Sequence, residues 1–258
     1  MRKLTKSILV SVLAVSAILL TMSPTNAYTI YDSYVGGTPN NTSWYGKDLI
    51  GENSLFQVNK MEVSHSGSAL VVDIYTTYLN NIGQYQTQLG DLFISTDGWK
   101  PFGSAPYKDD TMADGEKWEY ALVMDNHLPS ISTGQNSGNV YLYGITSTSQ
   151  IEASSAPSGY VYRARQEVQL NTTSLTSIAT GTWSIGNLGT ASDEDDYLRF
   201  AINFGFGPIS ELGFHWTMSC GNDVIEGSAP VPEPATMLLL GTGLIGLAGF
   251  GRKRLLKK

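Results

Sequence analysis

Along the middle of the chain, apolar and polar residues alternate with a period of two. In ALVVDIYTTYL, Leu70, Val72, Ile74 and Tyr78 share one parity and Asp73 takes the other; in YLRFAINFGF, Leu198, Phe200, Ile202, Phe204 and Phe206 face one way, Arg199 and Asn203 the other. Successive side chains on a strand point to opposite faces, so both stretches predict half-buried strands, and their β-branched and aromatic content favours the same reading. Comparable runs occur at 55–63, 91–95, 118–125, 139–145, 160–170, 182–185 and 212–218. Between them, STDGWKPFGSAP, STGQNSGN and SSAPSG carry the Gly, Pro, Asn, Asp and Ser that turns require. No segment of this region has the period of an amphipathic helix. The pattern predicts an all-β fold, a single β-sandwich of jelly-roll type with about nine strands and no internal repeat.

The alternation stops at both ends. Arg2, Lys3 and Lys6 precede an uncharged stretch from Ser7 to Met22, followed by Thr25-Asn26-Ala27. That three-part layout predicts a signal peptide over 1–27, removed by signal peptidase after Ala27. Its apolar part is shorter than the ~20 residues a spanning helix prefers. At the other end, Ala235 to Phe250 is uncharged and mostly apolar, and Arg252, Lys253, Arg254, Lys257 and Lys258 follow at once. As a helix this run reaches roughly 24 Å, and snorkelling flanks extend it toward a ~30 Å hydrocarbon core. Cations beside a membrane segment stay on the cytoplasmic side, so the domain lies outside and the tail inside. Pro232 and Pro234 fix their own φ, lack an N–H and bias the residues before them away from helix, which predicts an extended segment just outside the membrane.

The triplet Pro232-Glu233-Pro234, the short apolar run with Gly241, Gly243, Gly246 and Gly249, and the Arg252-Lys253-Arg254 cluster together resemble the PEP-CTERM sorting signal of exosortase substrates. The resemblance implies a Gram-negative, exopolysaccharide-producing bacterium. It also implies a membrane-embedded, cysteine-protease-like transpeptidase, the exosortase, that reads the triplet and removes the tail from an inner-membrane precursor. The stretches FHWTMSCGNDVIEG and GDLFISTDGWKPFG are similar to parts of exosortase-dependent surface proteins whose ligand is unknown. The chain then divides into a signal peptide (1–27), a β-sandwich ectodomain (28–227), a linker containing the triplet (228–234), and a transmembrane sorting helix with basic tail (235–258).

Removing both ends changes the charge. Of 16 Lys and Arg, three leave with the signal peptide and five with the tail, whereas only Glu233 of the 23 acids is lost, so 8 cations face 22 acids and the ectodomain carries −14. Phosphate recognition depends on clustered cations, so nucleic acid is excluded as a partner. The single cysteine, Cys220, rules out an intramolecular disulfide and reads as a buried or half-buried thiol at a strand end.

Candidate chemistry is sparse. In DDTMADGEKWEYA, Asp110, Asp114 and Gly115 occupy the first, fifth and sixth places of an EF-hand loop, but Met112 and Ala121 stand at the third and twelfth, so the pattern fails and an Asp-rich turn is expected. DEDD, ending in Asp195 and Asp196 and beginning at Asp193, is either a solvated acidic turn or a calcium site; no other cofactor is expected. His65, His127 and His215 are scattered, with no H-E-x-x-H spacing and no G-x-S-x-G elbow. A jelly-roll glycosidase needs two carboxylates flanking the bond, whereas Asp73 and Glu167 each stand alone. Among the turn aromatics, Trp44 and Trp99 are the candidates for a glycan-stacking platform, while Trp118 and Trp183 read as core. These readings point to an exported, non-enzymatic structural or adhesive protein of the cell surface or biofilm matrix, with extracellular polysaccharide as its partner. The alternatives are a glycan-binding lectin and a carbohydrate-active enzyme on the same fold.

Overall fold

The computed structural model describes residues 27–66, 68–155, 161–189, 195–207 and 209–231. Its strands, in chain order, are β1 (Tyr28–Tyr31), β2 (Thr38–Pro39), β3 (Val58–Ser66), β4 (Ala69–Thr76), β5 (Leu92–Ser95), β6 (Tyr120–Met124) and β7 (Ser137–Gly144). There follow β8 (Ile151–Ala153), β9 (Arg163–Ala164), β10 (Glu167–Leu170), β11 (Ala179–Gly186), β12 (Tyr197–Asn203), β13 (Glu211–Thr217) and β14 (Val224–Pro230). A four-residue helix, α1 (Asn53–Phe56), and a few 3-10 turns complete the described elements. Among the described residues no helix is long and apolar enough to cross a membrane; the expected signal peptide, Pro-Glu-Pro triplet and sorting helix lie outside them, apart from Ala27.

Ten strands form one antiparallel sheet in the order β1-β3-β4-β12-β11-β7-β6-β5-β13-β14. The sheet bends back on itself until its two edge strands, first and last in the chain, meet: a Cβ built on Gly227 of β14 would stand 2.6 Å from Ile30 Cγ2 of β1. Glycine is required there because any side chain would hold the edges apart. The all-β single domain expected from the pattern is thus a sandwich made by folding one sheet. Two short pairs, β8 with β10 and β2 with β9, lie outside it.

The predicted parities hold. Leu70, Val72 and Ile74 of β4 and Leu198, Phe200 and Ile202 of β12 are buried in one core with Phe56, Trp183, Phe214 and Trp216. On the opposite face the register sets Arg199 beside Asp73, with Nε to Oδ1 at 2.6 Å and Nη2 to Oδ2 at 2.7 Å. β5 departs from alternation and is buried at every position. Leu92 and Ile94 enter the main core while Phe93 enters a second, formed with Trp118, Ala121, Ile151 and Leu170 beneath the β8–β10 pair. Buried Asp91 ties these layers, accepting from the main-chain N–H of Met124 at 3.2 Å and of Leu170 at 2.9 Å.

Several boundaries differ from the sequence reading; the strand expected to run to Phe206, for one, ends at Asn203. The run at 55–63 begins as α1 and becomes β3 only at Val58. The run at 160–170 is split into β9 and β10 by Arg165, whose φ of 67° breaks the extended chain. The stretch expected to begin the linker at residue 228 is still strand: β14 continues to Pro230, because Leu212 and Glu211 of β13 pair with Ala229 and Pro230. Small residues fit there because β14 packs against the opposite edge.

Phe200 is fully buried at the centre of the main core. Phe200→Ala is expected to cost about 3–5 kcal/mol in unfolding free energy, measured by urea denaturation of the full-length chain with tryptophan fluorescence as the probe.

Candidate functional site

Neighbouring β13 and β14 set His215 opposite Glu226. Both residues are enclosed, and His215 Nδ1 lies 2.7 Å from Glu226 Oε1. The other ring nitrogen, Nε2, is 2.6 Å from the main-chain oxygen of Glu167 on β10. A carbonyl oxygen only accepts, so Nε2 carries a proton, and one further proton is shared between Nδ1 and the Glu226 carboxyl. Burial pushes His215 below its ordinary value and Glu226 well above its own. The pair is therefore a neutral imidazole accepting from a protonated carboxyl. Trp99 Nε1 donates to the other oxygen, Glu226 Oε2, at 2.8 Å, which is where the C=O of that acid must lie.

Glu167 belongs to the same cluster. It is fully enclosed, accepts from Trp118 Nε1 at 3.2 Å, and burial pushes its carboxyl up to about 7. Next to it, Tyr34 packs edge-on against Trp99 and donates to Asp110 Oδ2 at 3.0 Å. Asp110 and Gly115, the remnant of the EF-hand reading, are packed together: a Cβ on Gly115 would stand 2.2 Å from Asp110 Oδ1. Only glycine fits so close to this carboxylate, whose Oδ1 is enclosed without a hydrogen-bond partner.

The predicted surface residues fall elsewhere. Trp44 is half-buried at the end of a 3-10 turn, Thr42–Trp44. Trp99 is half-buried too, but its N–H is committed to Glu226 and its ring packs against Tyr34 and Tyr107, so it belongs to the wall of the buried cluster. Trp118 and Trp183 are core, as read from the sequence. Of the DEDD residues, Asp193 lies outside the described residues, Asp195 is exposed, and Asp196 is buried and accepts from Asn80 Nδ2 at 2.5 Å. Cys220 is a buried free thiol pushed up to about 12 by burial. Sequence reading left Glu167 isolated and gave His215 no partner. The missing signal was Glu226, an acid inside a strand rich in small residues.

The fold also fixes where the chain leaves. After β14 the N–H of Val231 donates to the main-chain oxygen of Ser210 at 2.8 Å, the last described tie to the sheet. The Pro232-Glu233-Pro234 triplet follows in the next residue. A family model, the PEP-CTERM protein-sorting motif, matches residues 230–254. The chain carries a PEP-CTERM sorting signal. No curated protein and no solved structure matches it. The motif overlaps β14 only at Pro230, so the described strands end where the PEP-CTERM segment begins.

The buried pair makes stability depend on pH with a definite sign. From their ordinary values, 4.5 for Glu226 and 6.5 for His215, the unfolded pair holds one proton between them from about pH 4.5 to 6.5, as the folded pair does. Above this window the unfolded pair releases its proton while the raised Glu226 keeps one, so stability falls as pH rises; below it the unfolded pair takes up a second proton and stability falls again. Glu167, also raised, adds a loss that starts at its ordinary 4.5 and runs to its folded value of about 7, so it tilts the flat window of the pair downward with pH. The melting temperature of the full-length chain is expected to peak at about pH 4.5 and to decline above it, and Glu226→Gln to flatten the part of the decline between pH 6.5 and 8. Scanning calorimetry across pH checks both.

Proposed function

We propose that the protein is a structural or adhesive component of the extracellular polysaccharide matrix, working as a folded body and not as a catalyst. That it is an exported protein sorted to the cell surface by an exosortase follows from its PEP-CTERM motif. The observation that carries the finer reading is the separation of signal from fold: every strand of the sheet precedes Pro232, so removal of the sorting tail delivers the whole ectodomain.

Two further observations support a non-catalytic role. The acids drawn together in the interior, Glu167 and Glu226, are 3% and 5% exposed, a depth at which a polymer cannot lie between them as glycosidic cleavage requires. Asp73 is occupied by Arg199 across the strand pair. The formal charge of −14 on the ectodomain favours solubility outside the cell and repels anionic surfaces. Partners consistent with it are neutral glycan segments and divalent cations.

In the native host, Glu233→Ala is expected to accumulate as a membrane-held precursor whose intact mass extends to Lys258, while the wild-type protein is found shortened in surface and medium fractions. Equal processing of both would remove the sorting premise. Matrix association is read separately: the shortened protein is expected to co-sediment with isolated matrix polysaccharide without releasing soluble sugar. Release of sugar would favour the enzyme instead.

A further inference from the structure

Three groups of acidic and histidine side chains bring potential ligand atoms within 4.8 Å of one another: Glu167–His215–Glu226, Asp97–Glu116–Glu119 and Asp32–Asp48–Asp223. The first is satisfied by the hydrogen bonds described above. In the second, Lys100 Nζ contacts Asp97 at 2.7 Å, the N–H groups of Lys100 and Lys117 donate to Glu116 at 2.5 and 2.8 Å, and the N–H of Thr96 donates to Glu119 at 2.7 Å. In the third group only Asp223 is so compensated.

Asp32 follows β1, Asp48 lies in the turn before Ile50, and Asp223 opens β14. Both carboxylate oxygens of Asp32 and Oδ1 of Asp48 are enclosed without a hydrogen-bond partner; the Tyr34 N–H favours the charged form of Asp32 only from outside hydrogen-bonding geometry. Asn222, 0% exposed and next to Asp223 in the chain, also leaves its amide oxygen and nitrogen unpartnered. Asp223 itself accepts on both oxygens, at Oδ2 from the N–H of Val58 at 2.6 Å and from Gln57 Nε2 at 3.4 Å, and at Oδ1 from the N–H of Val224 at 3.1 Å.

The nearest cation does not resolve this. The buried guanidinium of Arg163 donates instead to the main-chain oxygens of Gly36, Lys47 and Asp48. Three carboxylates and one guanidinium leave a net −2 in an enclosed space. Burial first, then mutual repulsion, pushes Asp32 and Asp223 well above the usual carboxylate range. Enclosed, unpaired carboxylates are costly unless a cation meets them.

We propose that Asp32, Asp48 and Asp223 bind one calcium ion, which clamps the two edges of the sheet together. Calcium takes oxygen ligands at about 2.3–2.6 Å, so ligands on opposite sides of one ion stand roughly 5 Å apart, the scale of this cluster. The Asn222 amide oxygen is a fourth oxygen within the same short segment. Magnesium prefers a tighter octahedron at about 2.0–2.1 Å and keeps its water, and zinc prefers nitrogen and sulfur, which fit an all-oxygen cluster less well. The ion's charge cancels the net −2. Asp32 extends from one sheet edge and Asp223 leads into the other, so binding links β1 to β14 where no ladder hydrogen bonds do. This site is distinct from the acidic turn at Asp193–Asp196.

The test uses the full-length chain in detergent, freed of metal with EGTA and then given calcium chloride to about 1 mM, within the affinity range of extracellular calcium modules. Calcium is expected to raise the melting temperature and to give a one-site calorimetric isotherm, with magnesium at the same concentration doing neither. Asp48→Asn, at a half-buried position, is expected to weaken calcium binding at least tenfold and to abolish the thermal shift, while Glu119→Gln in the compensated cluster keeps both. Should Asp48→Asn fail to fold, Asp32→Asn replaces it. A wild-type protein indifferent to calcium overturns the proposal, as does a calcium response that survives loss of these acids. In EGTA the Asn variants are expected to melt at or above the wild-type temperature, because a repelling charge has been removed; a purely structural role for the acids would lower it.

Discussion

A ten-stranded sheet that folds back on itself must do something with its two edges, and the meeting of β1 with β14 is the constraint on which the rest depends. An edge strand presents a row of unpaired N–H and C=O groups, which invites pairing with other chains unless it is shielded. Here each edge shields the other, and the close approach of Gly227 to Ile30 shows how little room is left. β1 starts at Tyr28, directly after the expected signal-peptide cleavage site, and β14 ends at Pro230. Both ends of the ectodomain therefore lie on this seam. Trimming at Ala27 and at the triplet removes no strand from it.

Folding acids inward gives the interior a common solution. Trp99 donates to Glu226 and Trp118 to Glu167, and at the surface Trp183 donates to the exposed Asp125 at 2.7 Å. An indole N–H is a donor without an acceptor, mounted on a large apolar ring, so it satisfies a carboxyl while filling core volume. Trp99, read as a glycan platform, and Trp118 and Trp183, read as core, share this one task. Trp216 does the same for a backbone group, donating to the Gly90 oxygen at 3.1 Å. Where no such donor is present, as around Asp32 and Asp48, a different counterpart for the charge is required.

The parts of the molecule legible in the sequence are those decided locally. Alternation in ALVVDIYT and YLRFAIN is a property of each strand alone, and the structure keeps its parity. A sorting signal must be readable by another protein as a short stretch, so triplet, apolar run and cations can be recognised without the fold. β14 was hidden for the opposite reason. Its sequence, VIEGSAP, contains an acid, three small residues and a proline, and it is a strand only because β13 pairs with it and β1 packs over it. The His215–Glu226–Glu167 cluster was hidden likewise, since Glu167 is 48 residues from His215 in the chain and reaches it only through the packing of β10 against β13.

The same seam bears on how the sorting signal is presented. Val231 is tied to Ser210, and the apolar run begins at Ala235, four residues later. Even fully extended, four residues span no more than about 14 Å. The triplet that the exosortase reads therefore stays within that distance of the sheet for as long as Val231 keeps its hydrogen bond. Pro230, exposed at the end of β14, cannot donate a ladder hydrogen bond, and the tie beyond it is made by the Val231 N–H. Loosening of this edge is limited, because Ala229 is buried in the main core and Val231 packs against it.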